Sequence, residues 1–307
     1  MSLFKLQNKT IQSIKESSFD LEKDIQKIVE ENLEKIFGLK FISSEFIIQG
    51  LRIDTLAYDS ETQSFVIIEY KRDRSFSVID QGFAYLSLLL NHPDSFILEY
   101  AKKTNTPISK INIDKTQSKV IFISSSFTIH QQNAINFRDL PIELWEVKKY
   151  EDSILEFDQL KSPDANASIL NVTKNKTIET VSREVKKYTT DDHFKEGWEK
   201  TKELYEIIQE KILNLDNRFV ESPQKYYIGF KIGNQIVVGI ETRKSKLIVS
   251  LNRTQPKDIK DPEQKARYRK NSYKYYNKHI TDYDVINRED IDYGIFLIKQ
   301  VYEKFYK

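Results

Sequence analysis

The chain has 307 residues, of which 39% are hydrophobic, 12% aromatic and 31% charged, with a formal net charge of +2. This composition suits a soluble globular protein with one large or two ordinary domains. With 8 glycines and 7 prolines it excludes a chain dominated by low-complexity disorder. The absence of cysteine excludes disulfides, thiol nucleophiles and cysteine-based zinc sites. Four scattered histidines (His92, His130, His193, His279) have no metal-ligand spacing, so any bound metal would rest mainly on carboxylates, which favours magnesium or manganese. No apolar run approaches the ~18 residues of a membrane span, and the first twenty residues lack a signal-like apolar core. The expectation is a cytoplasmic protein with no membrane partner.

In chain order, "DLEKDIQKIVEENLEKIF" (20–37) predicts an amphipathic helix, with Leu21, Ile25, Ile28, Val29, Leu33, Ile36 and Phe37 on one face and Gly38 as its stop. "EFIIQGLRIDTLAYD" and "SFVIIEYKR" predict strands joined by a polar turn at residues 60–63. A helix follows over "SVIDQGFAYLSLLLNH", ending before Pro93; then come a strand at 119–127, a short helix and a strand ending near Tyr150. This order predicts an α/β domain over residues 1–150, a mixed sheet flanked by helices. Residues 151–190, rich in Ser, Asn, Asp and Thr, predict a linker. A smaller α+β domain is expected over 191–307, opening on a long helix with Asp191 or Asp192 as N-cap.

The stretch "SFVIIEYKRD" carries the chemistry. Phe65 to Ile68 suit a buried strand, yet Glu69 and Lys71 put two charges on one strand face, since side chains repeat every second residue. If this strand pairs with "RIDTLAYD", Asp54 and Glu69 meet at one end of the hairpin, where a divalent cation would relieve their repulsion. Lys71 then points to the same side, placed to orient a water or to stabilise charge on phosphorus. As an ordinary strand-edge ion pair Glu69–Lys71 would contribute less than ~1 kcal/mol, and Asp54 and Gln81 would be left unaccounted for.

An Asp followed by a hydrophobic strand bearing Glu-x-Lys resembles the PD-(D/E)XK nuclease superfamily. The longer pattern "LEKDIQKIVEENLEKIFGLKFISSEF…LRIDTLAYD…FVIIEYKR…VIDQGFAYL" is similar to restriction-endonuclease-like domains related to the NucS-type endonucleases. The resemblance covers about residues 21–150. It implies a site of Glu22, Asp54, Glu69, Lys71 and Gln81, with Glu31 as the alternative helix carboxylate. Asp54, Glu69 and Glu22 would hold Mg2+ or Mn2+, and the activity would be metal-dependent endonuclease cleavage of nucleic acid, DNA before RNA. Gly50 and Arg52 match the run before the Asp with Leu51 inserted, and Ile53 stands where the superfamily's proline would be. Tyr85 shares a helical face with Gln81. Arg52 and Arg72 flank the site as candidate phosphate contacts. Nucleases of this fold often act as dimers, which leaves a homodimer open.

The C-terminal region is similar to a small domain of unknown function, sometimes labelled a predicted transport protein, that follows such nuclease modules. Its own residues say more. Between Arg243 and Lys278 there are twelve Lys or Arg against three Asp or Glu. Arg267, Arg269, Lys270 and Lys274 alternate with tyrosines, a combination that suits nucleic acid. The bland alternative has half of those tyrosines in the core. Two further readings remain: a nucleic-acid-binding protein without catalysis, and an interaction scaffold whose basic face meets an acidic protein.

Overall fold

The polypeptide opens on a hairpin that forms a two-stranded sheet of its own, β1 (Leu3–Gln7) against β2 (Thr10–Ile14). The structure, a computed structural model, describes residues 3–19, 22–71, 77–160 and 167–306. Contacts divide the chain into Met1–Lys187 and Tyr188–Lys307.

In the first unit, β3 (Glu16–Ser17) leads to α1 (Glu22–Glu31) and α2 (Leu33–Phe37). The single expected helix is thus broken at Asn32, whose Nδ2 donates back to the Ile28 carbonyl at 2.9 Å, a local bond that competes with helical continuation. Then follow β4 (Lys40–Ile48), β5 (Leu51–Asp59) and β6 (Ser64–Lys71) as an antiparallel meander. Gln49 and Gly50, at φ 49° and 77°, make the two-residue β4–β5 turn; both are left-handed, as such tight hairpins require. Next come α3 (Val78–Asn91), capped by the Ser77 hydroxyl, and α4 (Pro93–Thr104), a helix the sequence reading missed although Pro93 is a natural first helical residue. β7 (Lys119–Ser124), α5 (Ile129–Ala134) and β8 (Ile142–Tyr150) complete the central part.

The sheet order is β3-β8-β7-β6-β5-β4, with β6, β7 and β8 mutually parallel. Phe65 and Ile67 of β6 face the core built with α3 and α4, whereas Val66, Ile68 and Tyr70 face the core built with α1 and α2. Burial on both faces is why this strand reads as an unbroken apolar run.

The expected linker at 151–190 is not one. β9 (Ile154–Leu160) pairs antiparallel with β8, and α6 (Lys176–Glu184) packs Ile178 and Val181 into the α3-side core. The alternation was obscured because β9 lies on a sheet edge with mostly half-exposed side chains. The first unit therefore extends to Lys187.

In the second unit, α7 (Glu199–Leu213) starts later than expected, because the Asp192 carboxylate closes a preceding turn on the Thr189 N–H at 2.7 Å and caps no long helix. β10 (Phe219–Pro223), β11 (Ile228–Ile232), β12 (Gln235–Arg243) and β13 (Lys246–Asn252) follow, then β14 (Arg267–Tyr268), α8 (Ser272–Tyr276), β15 (Ile280–Val285) and α9 (Glu289–Phe305). The sheet is antiparallel in the order β10-β11-β12-β13-β15-β14. Leu204, Tyr205, Ile208 and Ile212 of α7 and Leu297, Ile298 and Val301 of α9 bury against it. Among the described residues no helix is long and apolar enough to cross a membrane.

Candidate active site

The β5–β6 ladder runs from Asp59↔Ser64 to Thr55↔Ile68. One step further the strands part, and two carboxylates take over from the backbone. The Asp54 N–H donates to Glu69 Oε1 at 3.2 Å, and the Tyr70 N–H donates to Asp54 Oδ2 at 3.1 Å. The site thus begins where the sheet opens, at the carboxyl end of parallel strand β6, the end at which open α/β sheets generally take ligands.

Lys71 Nζ lies 3.2 Å from Glu69 Oε2, and Gln81 Nε2 from α3 donates to the same oxygen at 3.1 Å. Gln81 also contacts the Tyr85 hydroxyl, which donates to the Arg52 carbonyl at 3.1 Å. One helix turn therefore fastens both parted strands. Gly82 lets α3 come this close, since a Cβ there would stand 2.5 Å from Ile142 Cδ1. At the rim, Arg52 is 3.0 Å from Glu45 through Nε and 3.8 Å from Asp54 Oδ1. Glu45 falls opposite Asp54 when the ladder Ser44↔Thr55, Phe46↔Ile53 is continued, and its φ of 53° breaks the regular pleat of β4.

Glu69 is only 2% exposed. Burial, and then the charge of Asp54, push its carboxyl above the usual range, against the pull of Lys71 and the Asp54 N–H. Burial likewise raises Asp54, opposed by the Tyr70 N–H, Lys71 and Arg52 and reinforced by Glu45. Burial is the first cause of both shifts, and a cation held by the two carboxyls would offset it. Burial pushes the Tyr85 phenol up as well, keeping it a neutral donor.

Behind the carboxylates a buried polar network fixes the backbone. Gln26 Nε2 on α1 lies 3.0 Å from the Asp54 carbonyl, 3.1 Å from Ser44 Oγ and 3.0 Å from Glu30 Oε1. Thr55 Oγ1 donates to Glu30 at 2.5 Å and sits 3.2 Å from the Tyr70 hydroxyl.

The structure brings together Asp54, Glu69, Lys71 and Gln81. Glu22 is exposed in the first turn of α1 and Glu31 is exposed at its end; Gln26 and Glu30 are polar α1 side chains turned toward the sheet, beside the buried Ile25 and Val29. Among the described residues no three His, Asp or Glu side chains converge as a metal cage, so the expected third ligand is not in place. Helical spacing could not separate the four acids of α1 (Glu22, Asp24, Glu30 and Glu31), but the Gln49–Gly50 turn sets the register that puts Glu45 opposite Asp54, a signal the sequence reading passed over. Arg72 lies outside the described residues. In the second unit Arg269 is committed inward: its guanidinium is 2.8 Å from Asp282, 2.6 Å from Glu241 and 2.9 Å from Ser250. Arg267 pairs with Asp284 at 2.6 Å. Arg269 is thus drawn inward from the phosphate contact expected of it, whereas Arg267, though paired, is exposed, as are Lys270 and Lys274.

These features define a two-unit protein, an α/β unit with a carboxylate–lysine site followed by a smaller α+β unit. The chain is 38% identical to an uncharacterized protein of Haemophilus influenzae over 304 residues, 98% of this chain and 99% of that one, and it belongs to the same family. A family described as a domain of unknown function (DUF5655) matches residues 190–303. Among solved structures, the chain is similar to one described as an EndoMS–dsDNA2 complex and to a repair endonuclease from Pyrococcus abyssi. Each is 20% identical with a TM-score of 0.23, over 39% of this chain and 43% and 45% of theirs, so the match spans less than half of either.

Proposed function

We propose that the protein is a metal-dependent nuclease that hydrolyses phosphodiester bonds, with DNA as the substrate. The observation that carries this reading is the reciprocal capping of Asp54 and Glu69, with Lys71 and Gln81 on the same carboxylate. The donor set fits a hard divalent ion: it offers carboxylate oxygens and no sulfur or imidazole, and Mg2+ takes one or two carboxylates with the rest water. Asp54 and Glu69 would hold Mg2+ or Mn2+, which when bound polarises a phosphate oxygen and acidifies a coordinated water.

The chain's own residues do the rest. Lys71 places a positive charge where negative charge gathers on phosphorus, and its Nζ can hold or release a proton there. Gln81 keeps Glu69 aimed, and Tyr85 keeps Gln81 aimed. Arg52, at the exposed rim, meets the phosphate beside the scissile bond.

The test is incubation of end-labelled DNA with the protein and Mn2+ or Mg2+, beside Glu69→Gln and a chelator. Cleavage abolished in both controls is expected; cleavage that persists in Glu69→Gln rejects the proposal. That no three carboxylates converge as a metal cage, among the described residues, favours one second reading, a unit that binds nucleic acid without cutting it. Under that reading the wild type and Glu69→Gln bind alike and neither cleaves.

A further inference from the structure

From Lys265 to Thr281 the second unit has no Asp or Glu. The structure sorts five of its six Lys and Arg side chains into two sets. Lys265, Arg267 and Arg269 turn to Glu263, Asp284 and Asp282, cancelling the acids around them. Lys270 and Lys274 stay on the surface.

Beside them stand four exposed rings, Tyr268, Tyr273, Tyr275 and Tyr276, with Tyr275 60% exposed and Tyr273 55%. They sit on a stiff mount. α8 is five residues long and enclosed by Asn271 and Asn277, both left-handed at φ 62° and 53°. Ser272 is buried within it, its hydroxyl accepting the Ile280 N–H at 3.2 Å. Tyr273 stacks on His279 with ring centroids 4.9 Å apart at 29°, and His279 Nδ1 is 2.9 Å from the Tyr268 hydroxyl. Lys274 lies 5.5 Å from the Tyr275 ring centroid. Tyr273 and Tyr275 thus stand at the surface of a short, pinned helix, each more than half exposed.

We infer that the α8 face is a binding platform for single-stranded nucleic acid, with bases stacking on Tyr273 and Tyr275 and phosphates held by Lys270 and Lys274. Exposed rings interleaved with surface lysines suit unpaired bases and their phosphates, which engage both at once. A duplex keeps its bases stacked on one another and offers these rings nothing. The inference stands on the second unit alone and holds whether or not the first unit cuts.

The test is fluorescence anisotropy of the full chain with labelled oligo-dT and with a duplex of equal length, in chelator, across a salt series. Expected results are tighter binding of the single strand and a loss of about ten- to a hundredfold for Tyr275→Ala. Tyr275→Phe, which keeps the ring, should bind as the wild type. Lys270→Gln with Lys274→Gln should flatten the salt slope by about 1.4, roughly 0.7 per phosphate contact on a single strand. Unfolding curves superimposable on wild type verify the Ala variant, and the Phe and Gln variants test the platform should that variant not fold. An unchanged affinity of Tyr275→Ala, an unchanged slope, or displacement of oligo-dT by poly-glutamate at equal charge would each overturn the inference, the last pointing to an acidic protein.

Discussion

Asp54 and Glu69 each accept a hydrogen bond from the backbone of the other's strand, so the two acids finish the ladder that their own strands abandon. Stability and chemistry can therefore be separated at Asp54. Asp54→Asn keeps an oxygen for the Tyr70 N–H and removes one of two crowded charges, so it should unfold at the same or higher urea concentration while cleavage disappears. Asp54→Ala leaves that N–H unmet and should be about 1–3 kcal/mol less stable than Asp54→Asn in urea unfolding. Equal stability of the two variants would contradict the capping role.

Lys71 Nζ lies 3.2 Å from Glu69 Oε2, inside the site. Lys71→Met should lower single-turnover cleavage by about 10²–10³-fold with little change in DNA affinity. Lys71→Arg keeps the charge but cannot act as an acid or base, since guanidinium stays protonated in proteins. Failure of arginine to restore the rate is expected; substantial rescue would mean that Lys71 acts by charge alone.

Gln26 shares the two N–H groups of its amide among three nearby acceptors, the Asp54 carbonyl, Ser44 Oγ and Glu30 Oε1. Gln26→Leu should cost about 1–3 kcal/mol by leaving the Asp54 carbonyl and Glu30 short of a donor. In urea this appears as a lower midpoint with an unchanged slope.

Gly82 sets the distance between α3 and β8. Gly82→Ala presses on the Ile142 side chain and should cost about 1–3 kcal/mol and reduce cleavage, because Gln81 is carried on the same turn. Adding Ile142→Val removes the pressing methyl. Recovery of both stability and activity in the double variant is the expected outcome, to be followed by thermal unfolding and cleavage rate together.

Acid sensitivity should appear in the second unit at Asp216. Arg218, and after it the Tyr302 hydroxyl, hold this carboxyl below its ordinary value of 3.8. A depressed carboxyl stabilises the fold above its ordinary value and loses that contribution as pH falls through the folded one. The wild type should therefore be more stable than Asp216→Asn near neutrality, and the gap in unfolding midpoint should close as the pH is taken below 3.8.

The parts of this fold legible in the sequence were those that local pattern dictates. Phe65 to Ile68 announce a strand covered on both faces, and Glu69 and Lys71 interrupt it by a spacing that only a strand brings to one side. Residues 151–190 were illegible because β9 and α6 owe their form to a neighbouring strand and a neighbouring core, not to strong periodicity of their own. The helix carboxylate was misplaced because Glu22, Glu30 and Glu31 share one segment, and only the packing of α1 on the sheet turns Gln26 and Glu30 inward. Arg267 and Arg269 read as free cations because their partners Asp282 and Asp284 lie more than a dozen residues away in sequence and meet them only once β15 is laid down.

The left-handed turn of the chain at Glu45 has an effect on neighbours as well as on the site. β4 is the last strand of its sheet, and a straight outer strand would offer a row of open hydrogen-bonding groups to any other extended chain. With φ of 53° at Glu45 and a register shift after Phe41, β4 presents no continuous template. The kink that brings an acid toward Arg52 also keeps the sheet from growing into its neighbours.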